Sequence, residues 1–246
     1  IEADPRFIEL FKRTWPTAII RPAVSKSTGL GNMDEVDFNV TAPAGLAASH
    51  LRRKIENFPQ HKGYVVPDPA RREIFRNWLK SLGSGIALGF AWRSGHRNAT
   101  RDHFYTELSD WIELFKTPGI KLINLQYDNA APDLDAFERD HGIKIHQAPD
   151  LDLYSDLDGA AALTKELDIV VTAGTSVGDM AGAVGVPVFT YSFAKHFVKL
   201  GTDYVPWFPS MNVVDFHPDF TPKEEYVPEV IKRCQNLIGQ MQRTAS

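Results

Sequence analysis

Apolar and polar residues change places along the chain with two different periods. Asp4-Pro5 ahead of Phe7, Ile8, Leu10 and Phe11 has the form of an N-cap, a proline at N1 and an amphipathic helix, ending near Trp15-Pro16. Ala18 to Ile20 is a short apolar run that predicts a strand, and residues 21–45 lack periodicity and are read as loop. A short helix is predicted over 46–57. Tyr64-Val65-Val66 then leads to Asp68-Pro69, where Asp68 caps a helix with Ile74, Trp78, Leu79 and Leu82 at helical spacing, closed by Gly83-Ser84-Gly85.

Beyond residue 84 the alternation becomes regular. Predicted strands run over 85–91, 121–125, 143–146, 167–172 and 186–191, and predicted helices over 104–115, 134–140, from 155 onward, 174–184 and 224–241. Strands alternating with helices of this length argue βαβ units and a parallel sheet. The expected fold is therefore α/β. Its 246 residues suit one to two domains, with 43% hydrophobic residues to build a core.

Charge and cysteine content narrow the function classes. A net charge of −4 argues against a general nucleic-acid or anionic-membrane binder. No apolar run reaches the ~18 residues of a membrane span. The single cysteine, Cys234, forbids an internal disulfide and a thiolate zinc site, and it suits the cytoplasm. The histidines have no H-x-x-x-H or H-E-x-x-H spacing, and Asp150, Asp152, Asp156 and Asp158 lack the EF-hand pattern, so no metal is expected. Ile1-Glu2-Ala3-Asp4 has no signal-peptide character. It reads as the tail of a strand running into a helix, and the residues as the remainder of a longer chain.

In parallel α/β sheets ligands bind at the carboxyl ends of the strands, at a topological switch point. That rule selects Trp92–Gly95, Gln126–Asp128, Leu153–Asp156 and Thr172–Asp179. Gly174, Thr175, Ser176 and Val177 join a strand to a helix start, where free backbone N–H groups and the positive dipole end suit a phosphate. N-cap preference alone would also place Thr175 and Ser176 there, and both readings stand open. The Gly-Lys-Thr/Ser ending of a P-loop and the G-x-G-x-x-G spacing are both absent. Arg93, Arg97 and Arg101 with Ser94 give one cationic stretch, either a diphosphate clamp or a solvated loop. Trp207-Phe208-Pro209 reads as packing.

Several motifs together resemble a known family. Trp92-Arg93-Ser94-Gly95, Asn124-Leu125-Gln126-Tyr127, Asp156-Leu157-Asp158, Leu167-Asp168-Ile169-Val170-Val171, Thr175-Ser176-Val177, Ala181-Gly182-Ala183-Val184-Gly185-Val186-Pro187 and Pro206-Trp207-Phe208-Pro209 occur in the order seen in bacterial tetratricopeptide-linked glycosyltransferases. That group is related to heptosyltransferases and to O-GlcNAc transferase. The resemblance implies a GT-B architecture of two Rossmann-like domains with parallel sheets. Residues 1–82 would be a partial acceptor-side domain, 83–220 the nucleotide-sugar-binding domain and 221–246 a closing helix, with tetratricopeptide repeats upstream.

The same resemblance assigns the site. Thr175, Ser176 and Val177 would meet the donor diphosphate, with Arg93, Ser94 and Arg101 opposite. Gln126 and Tyr127 would lie beside the base, and Asp156 and Leu157 beside the nucleoside. Where relatives read Ala-His-Leu this chain has Gly178-Asp179-Met180, and a carboxylate there accepts ribose hydroxyls but repels a phosphate, so either the donor sits differently or Asp179 reads the ribose. His50 is the candidate general base. The expected reaction is metal-independent transfer of a sugar from a nucleotide sugar, a co-substrate rather than a cofactor, to a protein or glycan. Two alternatives are a heptosyltransferase of lipopolysaccharide core and an inactive nucleotide-sugar-binding module.

Overall fold

The computed structural model describes residues 1–23, 39–95, 105–193, 197–217 and 221–245. Its centre is one six-stranded sheet of β3 (Ile86–Ala91), β4 (Ile120–Asn124), β5 (Ile145–His146), β6 (Ile169–Thr172), β7 (Val188–Phe193) and β8 (Met211–Phe216). All neighbours pair in parallel, in the order β5-β4-β3-β6-β7-β8. The parallel α/β class expected from the alternation is borne out. A separate two-stranded sheet pairs β1 (Glu2–Ala3) with β2 (Arg21–Pro22), so the strand expected at 18–20 pairs one to two residues later.

Strand alternation builds two cores. Leu88, Phe90, Ile169, Val171, Phe189 and Tyr191 face α4 (Ile112–Phe115), α5 (Ala131–His141) and α8 (Lys223–Ala245). Ala87, Ala91, Ile123, Val170 and Val188 face α1 (Ile8–Thr14), α3 (Pro69–Ser81), α6 (Leu157–Lys165) and α7 (Ser176–Val184). A sheet buried on both sides explains why its strands read as continuous apolar runs. Cys234 lies fully buried in the first core, and burial pushes its thiol up to about 12.

Four local expectations change. Among the described residues of the helix predicted over 104–115, only Ile112–Phe115 is α-helical, after a 3-10 turn at Leu108–Trp111 where the Trp111 indole donates to Thr106 Oγ1 at 2.8 Å. In α3 the buried positions are Phe75 and Leu79, while Ile74 is exposed, because the face is set by contact with α6. The helix predicted over 46–57 is α2 (Ala44–Leu51) followed by a 3-10 turn at Ile55–Asn57. Strand β8 was not predicted: its alternation of half-buried and exposed residues is weak, and pairing with β7 creates it.

Ion pairs join the helices of the second core. Arg71 grips Asp156, the N-cap of α6, with Nη1 donating to Oδ1 at 2.7 Å. Arg72 and Arg76 converge on Glu166, and Arg13 donates to both oxygens of Asp158 at 3.0 and 2.9 Å. The loop 58–66 is fastened to the far end of α7. Tyr64 and Val65 N–H both donate to the Ala183 carbonyl, and His61 Nε2 lies 3.1 Å from the Trp207 carbonyl. Phe58 meets Trp207 edge-on and Tyr64 stacks on Phe208, so this aromatic pair is packing, as expected. Among the described residues no helix is long and apolar enough to cross a membrane.

Two predictions follow from this packing. Gly63 and Gly185 both have positive φ, and their backbones touch: a Cβ on Gly63 would lie 2.5 Å from the Val184 carbonyl oxygen, and one on Gly185 would run into the Lys62 carbonyl. Gly185→Ala should therefore cost at least about 2 kcal/mol in urea unfolding. Gly142→Ala, left-handed but with open space around it, should cost about 1 kcal/mol. Equal losses would refute the contact. The second prediction concerns pH. Arg71, with help from the Gly159 N–H, holds the Asp156 carboxyl below its usual range against burial. A carboxylate depressed by folding adds stability above its unfolded pKa of about 3.9 and loses it as pH falls through the folded value. Stability should drop below about pH 4, and Asp156→Asn should be less stable at pH 7 yet fall less steeply with acid. Parallel pH curves for the two proteins would contradict this role.

Candidate functional site

The strand order gives the site its position. From β3 the chain moves outward through β4 and β5, then returns to lay β6 against the other side of β3. Ala91 and Thr172 pair at the carboxyl ends, where Leu125 N–H donates to Phe90 O and Ala173 N–H to Ala91 O, each at 2.9 Å. This is the switch point of a doubly wound sheet, at which the loops after β3 and β6 diverge around a crevice.

The chain leaving β6 turns straight into α7. Thr175 is the N-cap in an extended conformation, and its side chain makes no capping bond; Oγ1 instead lies 3.3 Å from Thr172 Oγ1. Thr175 therefore leaves backbone donors at the helix start uncapped by its own side chain, at the positive end of the dipole. A Cβ on Gly174 would meet only the Tyr191 carbonyl oxygen, at 3.4 Å, so the protein's own packing does not demand glycine there.

Two cavities flank this helix end, and Ser176 lines both. The first, about 410 Å³, lies among Arg6, Phe7, Leu125, Tyr127, Leu153, Tyr154, Leu157, Ala160, Val177 and Met180. It is largely apolar with aromatic edges. Arg6 is oriented by Asp4 on one side and by the Tyr154 carbonyl, at 2.8 Å, on the other, with its guanidinium 5.2 Å over the Tyr154 ring. The second cavity, about 330 Å³, lies toward β7 and β8 and is lined by Gly174, Thr175, Asp179, Thr190, Ser192, Lys199, Met211 and Val213 among others.

The structure brings together part of the expected set. Tyr127, Leu157, Ser176 and Val177 line the first cavity, and Gly174, Thr175, Ser176 and Asp179 line the second. Asp179 lies near Tyr64, whose hydroxyl pKa is raised by burial and then by the Asp179 charge. Other expected residues are engaged within the protein. The Gln126 side chain is buried, and its Oε1 accepts from Trp92 N at 3.2 Å and Arg93 N at 3.1 Å, holding the loop after β3. Ser94 Oγ and Gly95 N both meet the Tyr127 hydroxyl at 3.1 Å, tying that loop to β4. Arg93 is bound by Asp128 at 2.8 Å and Asp133 at 2.6 Å; burial opposes its charge, but these bonds outweigh it and raise its pKa. Asp156 serves Arg71 and the α6 N-terminus. His50 is exposed on α2 and lines neither cavity. Arg97 and Arg101 lie outside the described residues. Among the described residues no three His, Cys, Asp or Glu side chains converge to hold a metal ion.

Sequence reasoning missed Lys199. Its side chain is 4% exposed, and its ammonium donates to both Asp215 oxygens at 2.8 and 2.7 Å. The available signal was a lysine inside the apolar run Phe197-Val198-Lys199-Leu200, which a buried partnered cation would explain.

Comparison with known proteins places the fold. The chain is 32% identical over 220 residues to protein FlbA of Caulobacter vibrioides, an alignment covering 86% of this chain and 37% of FlbA. No protein-family model matches. Among solved structures it resembles the glycosyl transferase family 9 protein of Veillonella parvula DSM 2008, with a TM-score of 0.56, 13% identity, and coverage of 74% of this chain and 55% of that one. It also resembles the E. coli ADP-heptose lps heptosyltransferase II, with a TM-score of 0.51, 15% identity, and coverage of 78% and 59%. The chain thus spans little over a third of FlbA and under three fifths of either solved structure. At these identities the structural likeness establishes a shared fold: the parallel α/β sheet of this chain is one that glycosyltransferases also use.

Proposed function

We propose that this chain carries the nucleotide-sugar site of a glycosyltransferase that moves a sugar to a protein or glycan acceptor without a metal ion. The observation that supports it most is the α7 N-terminus, which the side chain of its N-cap Thr175 leaves uncapped, at the switch point between two cavities that share Ser176. A nucleotide sugar spans such a pair: a flat base, a diphosphate, then a hydroxylated ring. The nucleoside enters the first cavity against Tyr127 and Leu157. The diphosphate meets Thr175, Ser176 and Val177.

The chemistry suits those groups. As the glycosidic bond breaks, negative charge builds on the departing diphosphate, and fixed N–H donors at a helix end stabilise it, each worth about 3 kcal/mol in comparable oxyanion sites. Arg101 is assigned to the same charge. Arg93, held by two carboxylates, contributes through the loop it orders more than through free charge. The incoming hydroxyl needs a base, for which His50 is the candidate, acting beside an acceptor seated on the side of residues 1–82. The fold likeness to heptosyltransferase II supports a second reading in which the donor is an ADP-sugar.

Calorimetric titration with UDP, GDP, ADP and CMP and their sugars tests the reading. One base is expected to bind in the micromolar range, and ADP preference would favour the second reading. Arg101→Ala should weaken the diphosphate by roughly tenfold or more, whereas Lys232→Ala, on exposed α8, should change nothing. If no nucleotide binds at millimolar concentration, the proposal fails.

A further inference from the structure

We propose that the second cavity receives the transferred glycosyl unit, and that Thr190 and Lys199 are the residues that read its hydroxyl groups. The inference rests on the nucleotide-sugar reading above and deepens it.

Three observations carry it. The first is an orphaned hydroxyl. Thr190 is 5% exposed on β7, paired in register with Thr172 of β6 and Val213 of β8, and its Oγ1 is buried without a hydrogen-bond partner among the described residues. It lines the second cavity. A buried hydroxyl without a partner is costly to keep and is explained when a ligand supplies the missing bond. The second is Lys199, which lines the same cavity. Its ammonium has three donors and, among the described residues, gives two to Asp215. Leu200 beside it holds a left-handed φ of 51°, and Thr202 N–H donates to the Lys199 carbonyl at 2.9 Å, so the turn presenting the lysine carries local backbone strain.

The third observation is the shape of the lining. Thr190, Ser192, Asp179 and Lys199 supply polar groups, whereas Met211 and Val213 supply an apolar wall. A sugar ring is built the same way, with an apolar C–H face and a rim of hydroxyls. Because Asp215 neutralises Lys199, the arrangement favours a neutral polyhydroxylated ring over an acidic one. Ser176 belongs to both cavities, so a diphosphate at that point connects a nucleoside on one side to the ring on the other.

The test compares free nucleoside diphosphates with their sugar conjugates. UDP, GDP and ADP are titrated by calorimetry against wild type, Thr190→Val and Lys199→Met, followed by UDP-glucose, UDP-N-acetylglucosamine, GDP-mannose and ADP-glucose. Thr190→Val keeps the shape and removes the hydroxyl, so its melting temperature should hold or rise. Both variants are expected to weaken the tightest-binding sugar conjugate five- to tenfold while leaving its free diphosphate within twofold. If conjugate and free diphosphate shift together, or neither shifts, the assignment of the second cavity is overturned while the nucleotide reading survives. If wild type binds none of these compounds, the nucleotide reading itself falls and takes this one with it.

Discussion

The carboxyl ends of β3 and β6 lie side by side because the chain reverses its course through the sheet between them, and the site depends on that constraint. Two loops leave the same edge in opposite directions, so neither can cover the gap. One of them must become a helix immediately, since the apolar face of α7 is needed against β6 and β7. A helix that starts at the sheet edge points its uncapped donors into the gap. The close fit of Gly178 against the Thr172 methyl, where a Cβ would approach to 3.2 Å, keeps that helix pressed to the sheet. Its far end is fixed independently by the Gly63–Gly185 contact and the bonds to the Ala183 carbonyl. Both ends of α7 are thus held, and the crevice beside its start is set by the backbone.

That arrangement also decides which polar residues are free for a ligand. Loops at a sheet edge carry buried peptide groups that need partners. Gln126 meets that need for Trp92 and Arg93, Asp156 for the start of α6, and Tyr127 for Gly95. Arg93 and Arg71 are drawn into carboxylate pairs for the same reason: partly buried cations without partners are expensive. Residues of the right type at the right strand end therefore support the walls of the site more often than they face its interior.

This limits how far the site is legible in the sequence. The second half of the fold is readable because its strands are buried on both faces, and α3, α6 and α7 announce their starts with Asp68, Asp156 and Thr175. The loop Thr172–Asp179 is readable for the same reason. Strand β8 is not, because only its pairing with β7 defines it. Nor is the face of α3: Ile74 and Phe75 are equally apolar, and only the position of α6 chooses between them. The roles of Gln126 and Arg93 are hidden because periodicity places a residue at a strand end without saying whether its side chain turns toward the ligand or back to the loop. Lys199 is hidden because its partner, Asp215, lies on the unpredicted strand.

The chain is net negative, and the guanidinium groups of Arg6, which lines the first cavity, and of Arg71 and Arg93 are each bound to a carboxylate of the protein. Among the described residues, attraction for an anion at the switch point therefore comes mainly from peptide dipoles. Dipoles fixed in a helix need no rearrangement when charge appears in front of them, and they are held against a sheet that does not yield. They also act over short range, within the first turn. A site of this kind discriminates less by total charge than by whether the rest of the molecule fits the two cavities on either side. On the proposed reading the first cavity selects the nucleoside and the second selects what that nucleoside carries, with the helix end contributing most once charge has developed between them.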